Sequence, residues 1–136
     1  MPQFGKRSRE KLDKADPQLI TLFEEVIKEM DCSILESHRD KERQNKMLAE
    51  GKSKVSFPKS RHNSFPSKAV DVAPYPVDWS NNRKNIARFY YFAGYVKGKA
   101  HTMGIKIRWG GDWDSDNSFD DQSFDDLPHF EIVGGA

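Results

Sequence analysis

The stretch Ala69-Val70-Asp71-Val72-Ala73, closed by Pro74, decides how the chain is read. Four apolar residues around one carboxylate predict a short strand, since valine packs well on a pleated surface. Side chains alternate along a strand, so Val70 and Val72 point to one face and Ala69, Asp71 and Ala73 to the other. Asp71 therefore lies between two small neighbours, with room above it. A carboxylate in such a place needs a partner, because burying an isolated charge is costly.

Upstream, residues 52–68 are rich in Lys, Ser and Pro and read as a long loop. Residues 40–50 predict a polar helix ended by Gly51, and residues 32–36 a short strand. Asp16 and Pro17 suit the cap and first position of a helix whose apolar stripe is Leu19, Leu22, Phe23, Val26, Ile27 and Met30. Downstream, residues 81–103 predict a long helix closed by Gly104. Ile105, Ile107 and Trp109 alternate with Lys106 and Arg108 as in a half-buried strand. A loop over 110–128 and a last strand over 129–133 complete the chain. Helices and strands are segregated rather than regularly alternating, which predicts an α+β fold.

With 136 residues the chain is expected to form one domain, 1–136, without a separate binding module. No apolar stretch is long enough to span a bilayer and no secretory signal is evident, so the expectation is a monomer that accumulates in the cytoplasm without membrane insertion. One cysteine, Cys32, excludes a disulfide framework. The net charge of +1 argues against a nucleic-acid partner. The charge is unevenly spread: residues 39–61 hold eight Lys/Arg against three acidic residues, whereas residues 110–131 hold eight acidic residues and no Lys or Arg. A bound cation would account for such crowding.

His62 lies nine residues before Asp71, and His129 opens the last strand with Glu131 on its own face. Two imidazoles and one carboxylate from separate elements match a catalytic zinc site with an open fourth position. The other reading makes Asp71 a turn cap and the histidines surface residues. Asp126, three residues before His129, suits a proton-shuttling carboxylate, with Asp125 as competitor. Glu131 reads either as a hydrogen-bond partner of a ligand histidine or as a strand-face charge. Asp112, Asp114, Asp116, Ser118 and Asp120 fall at positions 1, 3, 5, 7 and 9 of a Ca²⁺-loop pattern, but position 12 is Ser123. A calcium loop and a solvated acidic loop both fit.

Ser60-Arg61-His62 with Pro66-Ser67-Lys68-Ala69-Val70-Asp71, followed by Asp126-Leu127-Pro128-His129-Phe130-Glu131, resembles a family of zinc peptidases. That family includes D-alanyl-D-alanine carboxypeptidases and small phage L-alanyl-D-glutamate endopeptidases, the single-domain endolysins being the nearest in pattern. The resemblance extends from Phe4-Gly5-Lys6 through Ser37-His38-Arg39 to Trp109-Gly110-Gly111-Asp112-Trp113. The nine-residue separation of His62 and Asp71 is longer than in some members. The resemblance implies a small antiparallel sheet with helices packed around it, as in Hedgehog and D-Ala-D-Ala peptidase domains. It implies zinc on His62, Asp71 and His129, Asp126 as catalytic base, and Arg39 on an oxyanion or a substrate carboxylate. The implied activity is hydrolysis of the L-alanyl-D-glutamate bond in the peptidoglycan stem peptide, after release of the enzyme from the host cytoplasm. The alternatives are a D-alanyl-D-alanine carboxypeptidase and a non-catalytic zinc-binding domain of the same fold.

Overall fold

The computed structural model describes residues 2–53, 55–111 and 126–133, the side chain of Asp126 excepted. In chain order the elements are α1 (Lys6–Leu12), α2 (Pro17–Glu29), β1 (Cys32–Glu36), α3 (Lys41–Ala49), β2 (Ala69–Pro74), α4 (Arg83–Thr102), β3 (Ile107–Gly110) and β4 (Asp126–Ile132). A short 3-10 turn, Arg61–Asn63, interrupts the loop between α3 and β2. The local signals act as expected. The Asp16 carboxylate accepts from the Gln18 amide at 2.8 Å, with Pro17 at the first helical position. Gly51 and Gly104 take φ of +75° and +72° just past α3 and α4, a conformation strained for other residues.

The strands form one antiparallel sheet in the order β1-β2-β4-β3. Val70, Phe130 and Trp109 stand in register across β2, β4 and β3. They face the helices, where Phe130 meets the ring edges of Phe23 of α2 and Phe92 of α4 at 5.7 and 6.1 Å. Leu19, Leu22, Val26, Val96 and Ala100 complete the buried layer. Covering one face with apolar helices leaves the opposite face for polar side chains, and the chemistry-bearing residues lie there. Cys32 belongs to the core, and burial raises its thiol pKa to about 12, which makes it inert.

Three boundaries differ from the sequence reading. α1 was not foreseen, because Lys6–Leu12 is polar with only Leu12 buried and so carries no apolar period. It rests against β1, an edge of the sheet, where Ser8 Oγ accepts from the Ile34 amide and Lys11 Nζ donates to the Leu35 carbonyl. β3 starts at Ile107 rather than 105, because the Ile105 amide donates back to the Ala100 carbonyl in the exit from α4. β4 starts at Asp126, three residues before the expected position. Pro128 is accommodated because the pairing slips there: Trp109 faces Phe130 while Gly110 faces Asp126. Residues 127–129 are thus extra on the β4 side, and a proline lacking N–H removes no ladder bond.

The Trp109 indole spans this irregularity by donating from Nε1 to the Leu127 carbonyl at 2.7 Å. A Cβ at Gly111 would fall on the six-membered ring of Trp109. Gly111→Ala is therefore expected to displace that ring and cost about 1–3 kcal/mol of stability, as overpacking does. Urea unfolding should show a lower midpoint with an unaltered slope, and a midpoint equal to wild type would contradict the tight Gly111–Trp109 approach.

Candidate metal centre

Strand register builds the polar face row by row. Glu36, Asp71 and His129 are paired across β1, β2 and β4, and Ala69, Glu131 and Arg108 across β2, β4 and β3. Glu36 reaches its row through a register shift between Ile34 and Glu36, which re-aims its side chain. His62 arrives separately, on the Arg61–Asn63 turn. Ser60 Oγ accepts from the His62 amide, and Asn63 Oδ1 accepts from the Ser60 amide, a reciprocal cap at 3.1 and 3.0 Å. The turn is fastened to Arg39: the Arg39 amide donates to the His62 carbonyl at 2.7 Å, and Asn63 Nδ2 donates to the Arg39 carbonyl at 2.9 Å.

Hydrogen bonding sets the state of each histidine. His62 Nδ1 lies 2.7 Å from the Ser37 carbonyl, which can only accept. The proton is therefore on Nδ1, and in the neutral ring Nε2 presents its lone pair to Asp71 Oδ1 at 3.2 Å. His129 is mirrored: Nε2 donates to Glu131 Oε1 at 2.7 Å, and Nδ1 lies 3.3 Å from the same Asp71 Oδ1. The two rings meet edge to face at 5.1 Å. One ligand atom from each of His62, Asp71 and His129 lies within 4.8 Å of the others. His62 Nε2 and Asp71 Oδ1 are buried without a hydrogen-bond partner among the described residues. Lone pairs that converge in this way repel one another unless a cation stands between them. The residues fit a metal ion. Burial pushes the Asp71 carboxyl up, but positive charge outweighs it and holds the group far below the usual carboxylate range when the two imidazoles carry that charge; a metal ion between neutral rings supplies the same charge.

The neighbours hold this arrangement. Burial raises the Glu131 carboxyl pKa, but His129 and Arg108 outweigh it and keep the group below its ordinary value and ionised. Arg108 Nη2 donates to Glu131 Oε2 at 2.7 Å, and Arg61 Nε lies 3.5 Å from the same oxygen. Of the two readings given to Glu131, the hydrogen bond to His129 is the one observed. Arg39 is 5% exposed and donates to Gln44 Oε1 and Glu36 Oε2, both at 2.8 Å, with Nη2 3.7 Å from Asp71 Oδ2.

Sequence reasoning thus brought together His62, Asp71 and His129, with Arg39 beside them. It missed Glu36, Gln44 and the Ser37 carbonyl. Gln44 is fully buried and donates to Ser53 Oγ and the Val55 carbonyl, yet in a helix of polar residues nothing marks which amide turns inward. Asp126 opens β4 opposite Gly110, but its side chain lies outside the described residues. So do the calcium-pattern residues Asp112, Asp114, Asp116, Ser118 and Asp120, and the competing Asp125.

Two hollows meet at Asp71. A cleft of about 520 Å³ holds the triad and is rimmed by Arg39, Lys52, Lys59, Arg61 and Arg108. A groove of about 1130 Å³ continues past Asp71 and is lined by Trp79, Ile86, Phe89, Tyr90, Leu127 and Pro128 among others.

Because Glu131 fixes the tautomer and basicity of His129, Glu131→Gln should weaken metal affinity about 10–100-fold. Competition against a chelator of known affinity measures this, and wild-type affinity in the variant would contradict the role given to Glu131.

Comparison with known proteins agrees with the geometry. The chain is 26% identical over 126 residues to the L-alanyl-D-glutamate peptidase of Escherichia phage T5, covering 88% of each chain. Its fold matches the crystal structure of the Serratia marcescens L-Ala D-Glu endopeptidase ChiX with a TM-score of 0.72 and 28% identity, over 96% of this chain and 89% of that one. The model of the phage L-alanyl-D-glutamate peptidase family matches residues 1–133, through both histidine-bearing motifs and the strands that carry them. This protein belongs to the phage L-alanyl-D-glutamate peptidase family.

Proposed function

We propose that the protein is a zinc-dependent endopeptidase that hydrolyses the L-alanyl–D-glutamate bond of the peptidoglycan stem peptide. The observation that carries this reading is the convergence of ligand atoms from His62, Asp71 and His129 at the junction of two hollows. Two neutral imidazoles and one carboxylate suit zinc, and three protein ligands leave a position for chemistry. Bound zinc supplies Lewis acidity that polarises a carbonyl and makes water nucleophilic near neutral pH.

The chain's own residues supply the rest. Arg39 lines the cleft, and its rigid guanidinium suits an anionic oxygen of the substrate. Glu36 and Gln44 hold that guanidinium in place. Asp126 takes a proton from the attacking water and passes it to the leaving D-glutamate nitrogen. A carboxypeptidase must close its site just beyond the residue it removes. Space on both sides of Asp71 among the described residues favours a chain that passes through. No helix among the described residues is long and apolar enough to cross a membrane.

Mass spectrometry of fragments released from purified peptidoglycan should show new amino-terminal D-glutamate, and a chelator should stop the release. Free D-alanine would point instead to a carboxypeptidase, and no release at all to a non-catalytic domain. Asp126→Asn should lower turnover by about 10²–10⁴-fold while zinc content stays near one per chain. A fully active variant would move the proton transfer to another carboxylate.

A further inference from the structure

We propose that the groove beyond Asp71 is a saccharide subsite in which the muramyl ring of the substrate stacks on Trp79. The inference rests on the L-alanyl–D-glutamate reading above and adds a direction to it: the substrate runs from the groove, over the metal centre, into the cationic cleft.

Trp79 is 61% exposed, yet it is firmly placed. Its ring stacks on Phe89 with centroids 5.5 Å apart and planes at 26°, which leaves much of the indole open. The backbone on both sides of it is clamped. Asn85, itself 5% exposed, donates from Nδ2 to the Asp78 carbonyl at 2.6 Å and the Ser80 carbonyl at 2.9 Å. Arg88 braces Asn85 Oδ1 and the Pro76 carbonyl, each at 2.7 Å. A large aromatic side chain held in water on a fastened segment is arranged for a ligand, since its ordering cost is met before binding.

The chemistry of the two hollows sets the direction. In the stem peptide the L-alanine nitrogen is acylated by the lactyl group of muramic acid. The alanine Cα and N and the lactyl link therefore separate the scissile carbonyl from a neutral, N-acetylated pyranose. On the other side D-glutamate carries a free carboxylate at once. Arg39, Lys52, Lys59, Arg61 and Arg108 rim the cleft and match the anionic half. The groove offers Trp79, Ile86, Tyr90, Leu127 and Pro128, and its charges balance, Glu36 and Asp71 against Arg43 and the Lys52 it shares with the cleft, with Glu36 and Arg43 3.2 Å apart. It suits the apolar C–H face of a pyranose. Distance agrees too: alanine and the lactyl link together span about two extended residues, roughly 7 Å, so the sugar lies in a hollow that adjoins the metal centre; Asp71 lines both hollows, and charge chooses between them.

The test compares two stem peptides, one capped at L-alanine by N-acetylmuramic acid and one by a plain acetyl group, with cleavage measured at the L-alanyl–D-glutamate bond. Wild type should prefer the muramyl peptide by about tenfold or more in kcat/KM. Trp79→Ala should lower that preference about tenfold, chiefly through KM, and Trp79→Phe should retain part of it. Loss of folding would depress both substrates together, so the ratio isolates the subsite. An unchanged ratio in Trp79→Ala, or a wild type indifferent to the sugar while cutting both peptides, overturns the subsite alone. A wild type that cuts neither peptide at this bond overturns the activity, and the subsite with it.

Discussion

Two imidazole nitrogens and a carboxylate oxygen converge on one point beside Asp71, and their hydrogen-bonded tautomers place no proton there. That arrangement is repulsive in isolation. It persists because each imidazole is held from behind by an acceptor: the Ser37 carbonyl for His62 and the ionised Glu131 for His129. A cation turns the same three groups from a liability into a binding site. The neighbouring contacts keep them pointed inward until it arrives.

The fold can be read as the means of holding that point. Helices α2 and α4 cover one face of a four-stranded sheet, so the buried aromatic row of Phe130 and Trp109 anchors β4 from below. His129 and Glu131 then project from the opposite face. The irregular pairing of β3 with β4 and the shift in β1 are the two places where the ladder departs from regularity, and both adjoin the site. The first accommodates Pro128 just before His129, and the second brings Glu36 into reach of Arg39. Regular pairing of β2 with β4 sets Asp71 beside His129, and the shift in β1 adds Glu36 to that row.

Much of this was legible in the sequence, for identifiable reasons. A carboxylate between alanines in a valine strand marks itself, because strand alternation assigns it a face. Asp16, Pro17, Gly51 and Gly104 each have one strongly favoured backbone role and took it. The α+β class followed from the segregation of helix-period and strand-period segments. What escaped notice depends on long-range pairing or on backbone atoms. The Ser37 carbonyl has no side-chain signature, and α1 is a polar helix stabilised by its place against β1 rather than by an apolar stripe. Gln44 and Glu36 gain their roles only when α3 and a shifted strand meet Arg39. Strand β4 begins early because Pro128 sits where the ladder slips, which no local pattern announces.

The most direct measurement is calorimetric titration of the metal-stripped protein with zinc, paired with the same titration of Asp71→Asn. The convergent geometry predicts one tightly held zinc per chain in the wild type and a large loss of affinity in the variant. Binding of no zinc by folded wild-type protein, or equal binding by the variant, would contradict the metal centre on which the rest of the structure is organised.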